Sequence, residues 1–352
     1  MRTPDCAGRV NALRRELSRL GLDGILITHE ANVRYLSGFP GQDAMIFITG
    51  RGRFLITDSR YIQEAGDLCG GCFTVVLAKT SFGETIREIA RRSHARKVGF
   101  ESMRLAYGIA ERLKKACAPV RFVETALLVE NIRAIKDAGE IRAIRKSVAL
   151  ARKVFALTAA LVRPGVSERS VAGTIELAYL RAGARPSFPA IVASGANASK
   201  PHARPGAARI RNNSFVMIDT GCVVDGYCSD LTRMVTLGRV GARFDGIYET
   251  VRSAQELAIA RIRQGALISD IDRAARERIT AAGYGDCFGH ALGHGVGLEI
   301  HEQPSISGKS GGRLRAGMVF TVEPAVYIPG FGGVRIEDMV LVTKDGCDIL
   351  TR

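Results

Sequence analysis

The chain has 352 residues, a formal net charge of +15 and 46% hydrophobic residues, which is typical of a folded protein of about two domains. Its 24% of charged residues and its apolar content exclude a disordered chain, and no apolar run approaches the length of a membrane span. The N-terminal segment carries charges in place of the apolar block of a signal peptide. We therefore expect a cytoplasmic protein with no membrane contact.

The excess of basic residues is spread along the chain, and its densest group, at positions 87–97, fits one solvated helix face. Nucleic-acid binders more often carry a clustered basic stripe or tail, so we do not expect nucleic acid as a partner. Cys69 and Cys72 form the only CxxC pair among eight cysteines. One such pair is a weak metal signal, and we expect free thiols in a reducing compartment.

The first 130 residues alternate helix-like and strand-like patterns, which predicts an α/β domain. Gly50-Arg51-Gly52 separates two apolar runs and indicates a hairpin between them. Helices are predicted over 10–20 and 81–92, and strands over 25–27, 44–49, 53–57, 97–100 and 120–123.

The pattern changes near residue 130, so we predict one domain over 1–130 and a second over 131–352. The second begins with a long amphipathic helix over 137–161, which Pro164-Gly165 ends. Strands and glycine-rich turns follow, with further helices predicted over 167–182, 248–262 and 268–282.

Two aspartates of the second domain lie on a predicted hairpin. The apolar strand 215–218 leads into Asp219, Asp225-Gly226 is a two-residue turn signal, and Asp230 is on the return strand. With this turn, Asp219 faces Thr232, and Asp230 lies diagonally beside Asp219 on the same face. Two carboxylates held so close repel each other unless a cation or a proton lies between them.

A second hairpin repeats this arrangement with two glutamates. The apolar strand 318–322 leads into Glu323, residues 329–333 form a turn, and the return strand over 334–342 carries Glu337. The two glutamates flank the turn symmetrically, so we expect them to face each other. Four carboxylates buried on apolar strands would be costly without a metal ion.

Four of the six histidines occur in two short segments. His202 follows Pro201, whereas His290, His294 and His301 lie in a glycine-rich stretch whose glycines allow a close backbone approach around His294. One histidine with four carboxylates suits divalent ions such as Mn, Co, Fe or Zn. Two such ions about 3.5–4 Å apart can activate a water for hydrolysis.

In this order and context, the four carboxylates and His294 resemble the dinuclear metal site of the M24 metallopeptidases, which have the pita-bread fold. The sequence is most similar to the Xaa-Pro aminopeptidases and prolidases (Xaa-Pro dipeptidases) of that group. The matching segments are 192–195 with Pro201-His202, 218–221, 226–233, 293–298, 322–324 and 333–338. Segments 32–39 and 56–61 resemble the creatinase-like N-terminal domain of the same proteins.

The resemblance implies a fold of the α/β (α+β) class, with a creatinase-like N-terminal α/β domain over 1–130 and a pita-bread catalytic domain over 131–352. It also implies a homodimer and two divalent metal ions, with manganese expected first and cobalt, zinc or iron as alternatives. The implied metal ligands are Asp219, Asp230, His294, Glu323 and Glu337.

The implied reaction is hydrolysis of the N-terminal Xaa-Pro bond, in a peptide with proline at the second position, through a metal-bridging hydroxide. Glu323 would also relay the proton, and His202 and His301 would hold the substrate or stabilise the oxyanion. His290 would line the substrate site, and Arg335, two residues before Glu337, would orient that carboxylate.

The sequence leaves alternatives open. A methionine aminopeptidase shares the five ligands but typically lacks the first domain, and non-catalytic pita-bread proteins that bind protein or nucleic acid usually have broken ligand sets. Within the Xaa-Pro group, an aminopeptidase acting on longer peptides and a dipeptidase acting on Xaa-Pro alone both fit the sequence.

Overall fold

The computed structural model describes residues 5–352 and divides the chain into two compact units, one ending at Arg133 and one beginning at Ala134. The first four residues of the segment considered for a signal peptide lie outside the described residues. Among residues 5–352, none of the helices combines the length and apolar character that crossing a bilayer requires.

The first unit is built on a six-stranded mixed sheet of order β4-β3-β2-β1-β5-β6. Its strands are β1 (Gly24–Ile27), β2 (Ala44–Thr49), β3 (Arg53–Thr57), β4 (Thr74–Leu77), β5 (Lys97–Glu101) and β6 (Arg121–Thr125). Its helices are α1 (Cys6–Arg19), α2 (Glu30–Ser37), α3 (Ile62–Cys69), α4 (Phe82–Arg92), α5 (Tyr107–Ala116) and α6 (Leu128–Arg133).

The strand predictions for this unit are largely confirmed, and β2 and β3 have the predicted bounds on either side of the Gly50–Gly52 turn. Leu26, Phe47 and Val98 from the centre of the sheet pack against Ile86 of α4. The sequence analysis missed α2 and α3, which have eight residues each, too few for a clear helical period.

A buried polar network lies beside this core. Asn32 donates from Nδ2 to Glu101 Oε1 at 2.6 Å and to Glu130 Oε1 at 3.0 Å, and it accepts from Arg133 at 2.7 Å. Glu101 also accepts the backbone N–H of His29 at 2.8 Å, just before α2. Burial raises the pKa of Glu101 above its usual range.

The second unit contains four helices and several small sheets. The helices are α7 (Ala138–Ala159), α8 (Glu168–Arg181), α9 (Ala242–Ile259) and α10 (Ile268–Ala281). The strands are β7 (Arg185–Pro186), β8 (Ile191–Ser194), β9 (Ser214–Thr220), β10 (Cys222–Val224), β11 (Tyr227–Cys228), β12 (Leu231–Leu237), β13 (Gly293–Gly295), β14 (Glu302–Ile306), β15 (Val319–Val322), β16 (Ala325–Ile328), β17 (Gly332–Arg335), β18 (Asp338–Val342) and β19 (Cys347–Ile349).

The observed starts of two helices can be compared with the predicted ones and explained. The α7 helix begins where predicted because Asp137 forms a capping box with Glu140. The α9 helix begins at Ala242, six residues before the predicted start, because Phe244 and Ile247 extend its buried face toward the N-terminus.

The second unit contains two halves that repeat one local arrangement, the first with α7, α8 and the strands up to β12 and the second with α9, α10 and the strands that follow. In the first half, Arg209 donates from Nη1 to the carbonyl of Gly165 at 2.6 Å, just before α8. In the second half, Arg313 makes the same contact with Gly265 at 2.7 Å, just before α10. Each half also contributes a carboxylate-bearing hairpin, β9–β12 from the first and β15–β18 from the second.

Candidate metal centre and active site

The first hairpin has the register that the sequence predicted. Strand β9 pairs with β12 so that Asp219 lies opposite Thr232, and Asp230 immediately precedes β12. The turn residues Asp225 and Gly226 both have positive φ, 53° and 91°, as a two-residue type I′ turn requires. The turn therefore fixes which face of the hairpin carries the two aspartates.

The second hairpin also places its glutamates opposite each other. Val322 pairs with Asp338, and Ala325 pairs with Arg335, so the continuous register sets Glu323 against Glu337.

The predicted single return strand over 334–342 is wrong in one respect. It is divided into β17 and β18, with Ile336 and Glu337 between them. The interruption has a physical cause, because the backbone N–H of Glu337 leaves the hairpin and donates to Thr232 of the first hairpin at 3.2 Å. The same glutamate therefore belongs to the contact between the two hairpins.

His294 reaches the carboxylates from strand β13. Its Nε2 lies 3.3 Å from Glu323 Oε1 and 3.6 Å from Asp230 Oδ2. A Cβ on Gly293 would lie 1.9 Å from Thr321 O, and one on Gly295 would lie 2.2 Å from Gln303 O. The expected close backbone approach around His294 is therefore confirmed, and no other residue type fits at either flank.

The burial of this cluster matches the needs of a divalent cation. Asp230, His294 and Glu337 each offer one ligand atom, and these atoms all lie within 4.8 Å of one another. In the described part of the chain, Asp219 Oδ1 and Asp230 Oδ1 are buried without a hydrogen-bond partner. Buried carboxylate oxygens without partners are costly, and a bound cation would satisfy them. The donor set therefore fits divalent metal ions.

The electrostatics of the cluster lead to the same conclusion. Burial and the neighbouring carboxylates raise the pKa of Asp230 and of Glu337 well above the usual range. Burial raises the pKa of Glu323 to about 7. Burial lowers the pKa of His294 to about 4, which keeps its ring neutral and able to offer a lone pair at neutral pH.

Arg335 is placed differently from the sequence interpretation. Its Nη2 donates to Asp219 Oδ2 at 2.5 Å, and its Nε donates to Thr232 Oγ1 at 3.0 Å. Thr232 Oγ1 in turn donates to Glu337 Oε2 at 2.7 Å. Arg335 thus contacts Asp219 directly and reaches Glu337 only through Thr232, because the packing of two hairpins decides which carboxylate it meets.

Three polar residues around the cluster were missed by the sequence analysis: Thr232, Thr321 and Tyr327. Thr321 donates to Glu323 Oε1 at 3.0 Å, and its position two residues earlier on the strand was a usable signal for a shared face. Tyr327 OH accepts from Arg335 Nη1 at 2.6 Å and lies 3.3 Å from His290 Nε2. No local pattern marks Tyr327, because its partners come from other segments.

A cavity of 630 Å³ gathers the predicted residues. All the predicted ligands and catalytic candidates line it, and so do the apolar side chains of Phe188, Ile191 and Ile300. The rings of His294 and His301 lie 4.2 Å apart, and burial lowers the pKa of His290 to about 4. The predicted site residues that line the cavity are His202, Asp219, Asp230, His290, His294, His301, Glu323, Arg335 and Glu337.

This fold and this carboxylate–histidine centre define a metal-dependent hydrolase, and the family follows from comparison with known proteins. Residues 142–344 match the model of metallopeptidase family M24, and residues 9–135 match the creatinase/prolidase N-terminal domain. The chain belongs to metallopeptidase family M24. The family resemblance and the predicted combination of a creatinase-like and an M24 catalytic domain are thereby confirmed.

Individual relatives match over nearly the whole chain. An uncharacterized peptidase of Bacillus subtilis is 37% identical over 97% of both chains, and an Xaa-Pro dipeptidase of Pyrococcus horikoshii is 34% identical over 98% of this chain and 97% of its own. A structure of an Xaa-Pro dipeptidase from Bacillus anthracis matches with a TM-score of 0.96 and 36% identity, covering 99% of this chain and 98% of that one. An X-Pro aminopeptidase from Thermotoga maritima matches with a TM-score of 0.88 and 33% identity, covering 96% and 97%.

Proposed function

We propose that this protein hydrolyses the N-terminal Xaa-Pro bond of peptides whose second residue is proline. The observation that carries the proposal is the buried cluster of four carboxylates and His294, in one cavity with three further histidines. The names of the Pyrococcus and Thermotoga relatives support the Xaa-Pro specificity.

The metal ligands in this proposal are the predicted five, with manganese the first candidate ion and cobalt, zinc or iron as alternatives. When bound, such ions lower the pKa of a water and polarise the scissile carbonyl. The chain's contribution is to hold the ligands in place, since Arg335 fixes Asp219 and Thr232 fixes Glu337. The proposed ligands are Asp219, Asp230, His294, Glu323 and Glu337.

Glu323 is the proposed proton carrier. Thr321 donates to its Oε1 at 3.0 Å, which holds the carboxylate in one orientation beside His294. A carboxyl group held in this way can take a proton from the attacking water and give it to the leaving amine.

The three remaining histidines are the proposed substrate contacts. His202 and His301 are exposed on the cavity wall, so their ring N–H groups can donate to the substrate or to the oxyanion. His290 is neutral because burial lowers its pKa to about 4, and it lies 3.3 Å from Tyr327 OH. This pair would orient the substrate without adding a charge.

A metal-by-substrate panel tests the function. Mn, Co, Zn and Fe should be tried with Ala-Pro, a longer Xaa-Pro peptide and a Met-Ala peptide, and we expect cleavage only before proline. Glu323→Ala and His294→Ala should abolish turnover, whereas His94→Ala, an exposed histidine of the first unit, should not change it. Release of Met from the Met-Ala peptide without cleavage before proline, or undiminished turnover in either site variant, contradicts the proposal.

We also propose domains over 1–130 and 131–352, a homodimer and a cytoplasmic location. The division of the chain after Arg133 and the end of the N-terminal family match at residue 135 support the domain boundary. Sedimentation equilibrium of the full chain tests the oligomeric state, and a monomer at micromolar concentration would contradict the dimer. Fractionation of cells that express the protein tests its location.

A further inference from the structure

Free Xaa-Pro dipeptides and longer Xaa-Pro peptides differ by one charge close to the reacting bond. In a dipeptide the proline ends in a carboxylate, whereas in a longer peptide a neutral amide takes that place. An anion that enters a cavity loses water, and a guanidinium or an ammonium compensates for that loss best, because hydrogen bonds from a charged donor are roughly twice as strong as those from a neutral one. The charges on the cavity wall therefore discriminate between the two kinds of substrate.

The cavity wall carries one side chain with a permanent positive charge. Within residues 5–352, Arg335 is the only arginine that lines the cavity, and no lysine lines it. Its side chain is 4% exposed, and it donates to Asp219, to Thr232, to the Tyr327 hydroxyl and to the carbonyl of Pro201. Arg335 cannot turn to a substrate carboxylate without breaking these bonds.

The other charges on the wall provide no surplus positive charge. Two divalent ions would be balanced by the four carboxylates of the proposed metal centre. A fifth carboxylate, Asp286, also lines the cavity and is exposed to it, and its charge opposes that of Arg335. With both ions bound, the formal charge of the lysine and arginine, acidic and metal groups on the wall is zero.

A cationic side chain at the position of Ser305 would reach the cavity that holds the proposed metal ligands. It pairs with His294 across strands β13 and β14, so both side chains lie on the same face of the sheet. Ser305 is exposed and lines the cavity. The position directly across from a proposed metal ligand thus carries a short, uncharged side chain.

We propose that the cavity favours Xaa-Pro peptides that continue beyond the proline, so that the protein acts as an aminopeptidase on peptides and discriminates against free Xaa-Pro dipeptides. The proposal rests on the proposed function, since it concerns the substrate class of the same site. The discriminating group is the substrate carboxylate, which meets no free guanidinium or ammonium on the wall and only the N–H donors of the histidines already proposed as substrate contacts.

The substrates for the test are Ala-Pro, Ala-Pro-amide and Ala-Pro-Ala, with the metal-loaded full chain. The amide differs from the dipeptide only in the charge at its C-terminal end. We expect kcat/KM for Ala-Pro to be at least about tenfold lower than for Ala-Pro-amide, with Ala-Pro-Ala close to the amide. Equal or faster cleavage of Ala-Pro overturns the inference, whereas absence of cleavage of all three overturns the proposed function itself.

A variant that supplies the missing charge gives a second test. Ser305→Arg should raise kcat/KM for Ala-Pro relative to Ala-Pro-amide, because a guanidinium could pair with the carboxylate. Ser305→Gln adds length without charge, so it should change kcat/KM for Ala-Pro and for Ala-Pro-amide by the same factor. An unchanged ratio in a folded Ser305→Arg protein, or the same change in ratio in both variants, contradicts the role of charge.

Discussion

Lys136 Nζ donates to Glu302 Oε1 at 2.7 Å, and the two side chains are 0% and 3% exposed. Lys136 lies just before α7, whereas Glu302 begins β14 directly after His301. The pair thus joins the start of the catalytic unit to the segment that carries one of the proposed substrate contacts. A buried ion pair of this kind is sensitive to the loss of either partner, because the remaining charge is left without compensation.

Replacing Lys136 tests this dependence. Lys136→Met should lower the free energy of unfolding by about 3–5 kcal/mol, because it removes the ammonium group from a buried ion pair. Urea unfolding of the full chain measures the change. Lys146→Met is the matched control, since Lys146 pairs with Asp225 at the surface at 2.8 Å and should cost less than about 1 kcal/mol. Similar losses in the two variants would contradict the buried contact.

Metal removal should lower thermal stability as well as activity. Without cations the buried carboxylates repel one another, and an ion present at 100 times its Kd would contribute about 2.7 kcal/mol to folding. The Asp230→Asn protein should therefore be more stable than the wild type when both are treated with chelator. Added metal should raise the thermal stability of the wild type but not that of the variant.

Differential scanning calorimetry with and without chelator measures both effects of metal removal. Asp348→Asn, at an exposed carboxylate that pairs with Arg145, serves as the control and should respond to metal as the wild type does. If the Asp230→Asn protein is less stable than the wild type when both are treated with chelator, repulsion between the buried carboxylates does not explain the loss of stability on metal removal.

Thr232 should act on the metal centre through its neighbours. Thr232→Val removes the bond to Glu337 Oε2 and the acceptor for Arg335 Nε, while it keeps the shape of the side chain. Loss of such a supporting contact typically lowers metal affinity or activity by about 10–100-fold. Metal titration by calorimetry measures the affinity.

The same substitution at an exposed position of β12 gives the control for Thr232. Thr236→Val should leave the metal affinity unchanged, because Thr236 is exposed, lies four residues further along β12 than Thr232 and does not line the cavity. Equal affinities in the Thr232→Val and Thr236→Val proteins would contradict the positioning role.

Asn32 should be important for the stability of the first unit. Asn32→Ala leaves Glu101, Glu130 and Arg133 each short of a buried hydrogen bond, and we expect a loss of more than about 2 kcal/mol. Chemical unfolding of the full chain gives the loss. Asn131→Ala, at an exposed position of α6, should change stability far less, and equal losses would argue against the network.

Where a turn fixes the register, the sequence predicted the site well. Asp225-Gly226 determines the pairing of β9 with β12, so the side-chain period of two was enough to place Asp219 and Asp230 on one face. The symmetry of the second turn likewise set Glu323 opposite Glu337. Both deductions depend only on contacts that are close in sequence.

Contacts between separate segments could not be predicted in the same way. Arg335 contacts Asp219 because the two hairpins pack together, a fact that neither hairpin contains. Tyr327 likewise meets His290 through the packing of β16 against a distant loop. The short helices α2 and α3 were missed for another reason, since eight residues give too short a helical period and neither helix has a side-chain hydrogen bond at its N-cap.

The repeated arrangement of the second unit, marked by Arg209 at Gly165 and by Arg313 at Gly265, has a consequence for the order of assembly. Each half brings one hairpin with two of the carboxylates, so neither half contains the metal centre alone. The mutual repulsion of the four carboxylates arises only when the halves dock. A bound cation would therefore stabilise the contact between the two halves, because it would lie among carboxylates that both halves provide.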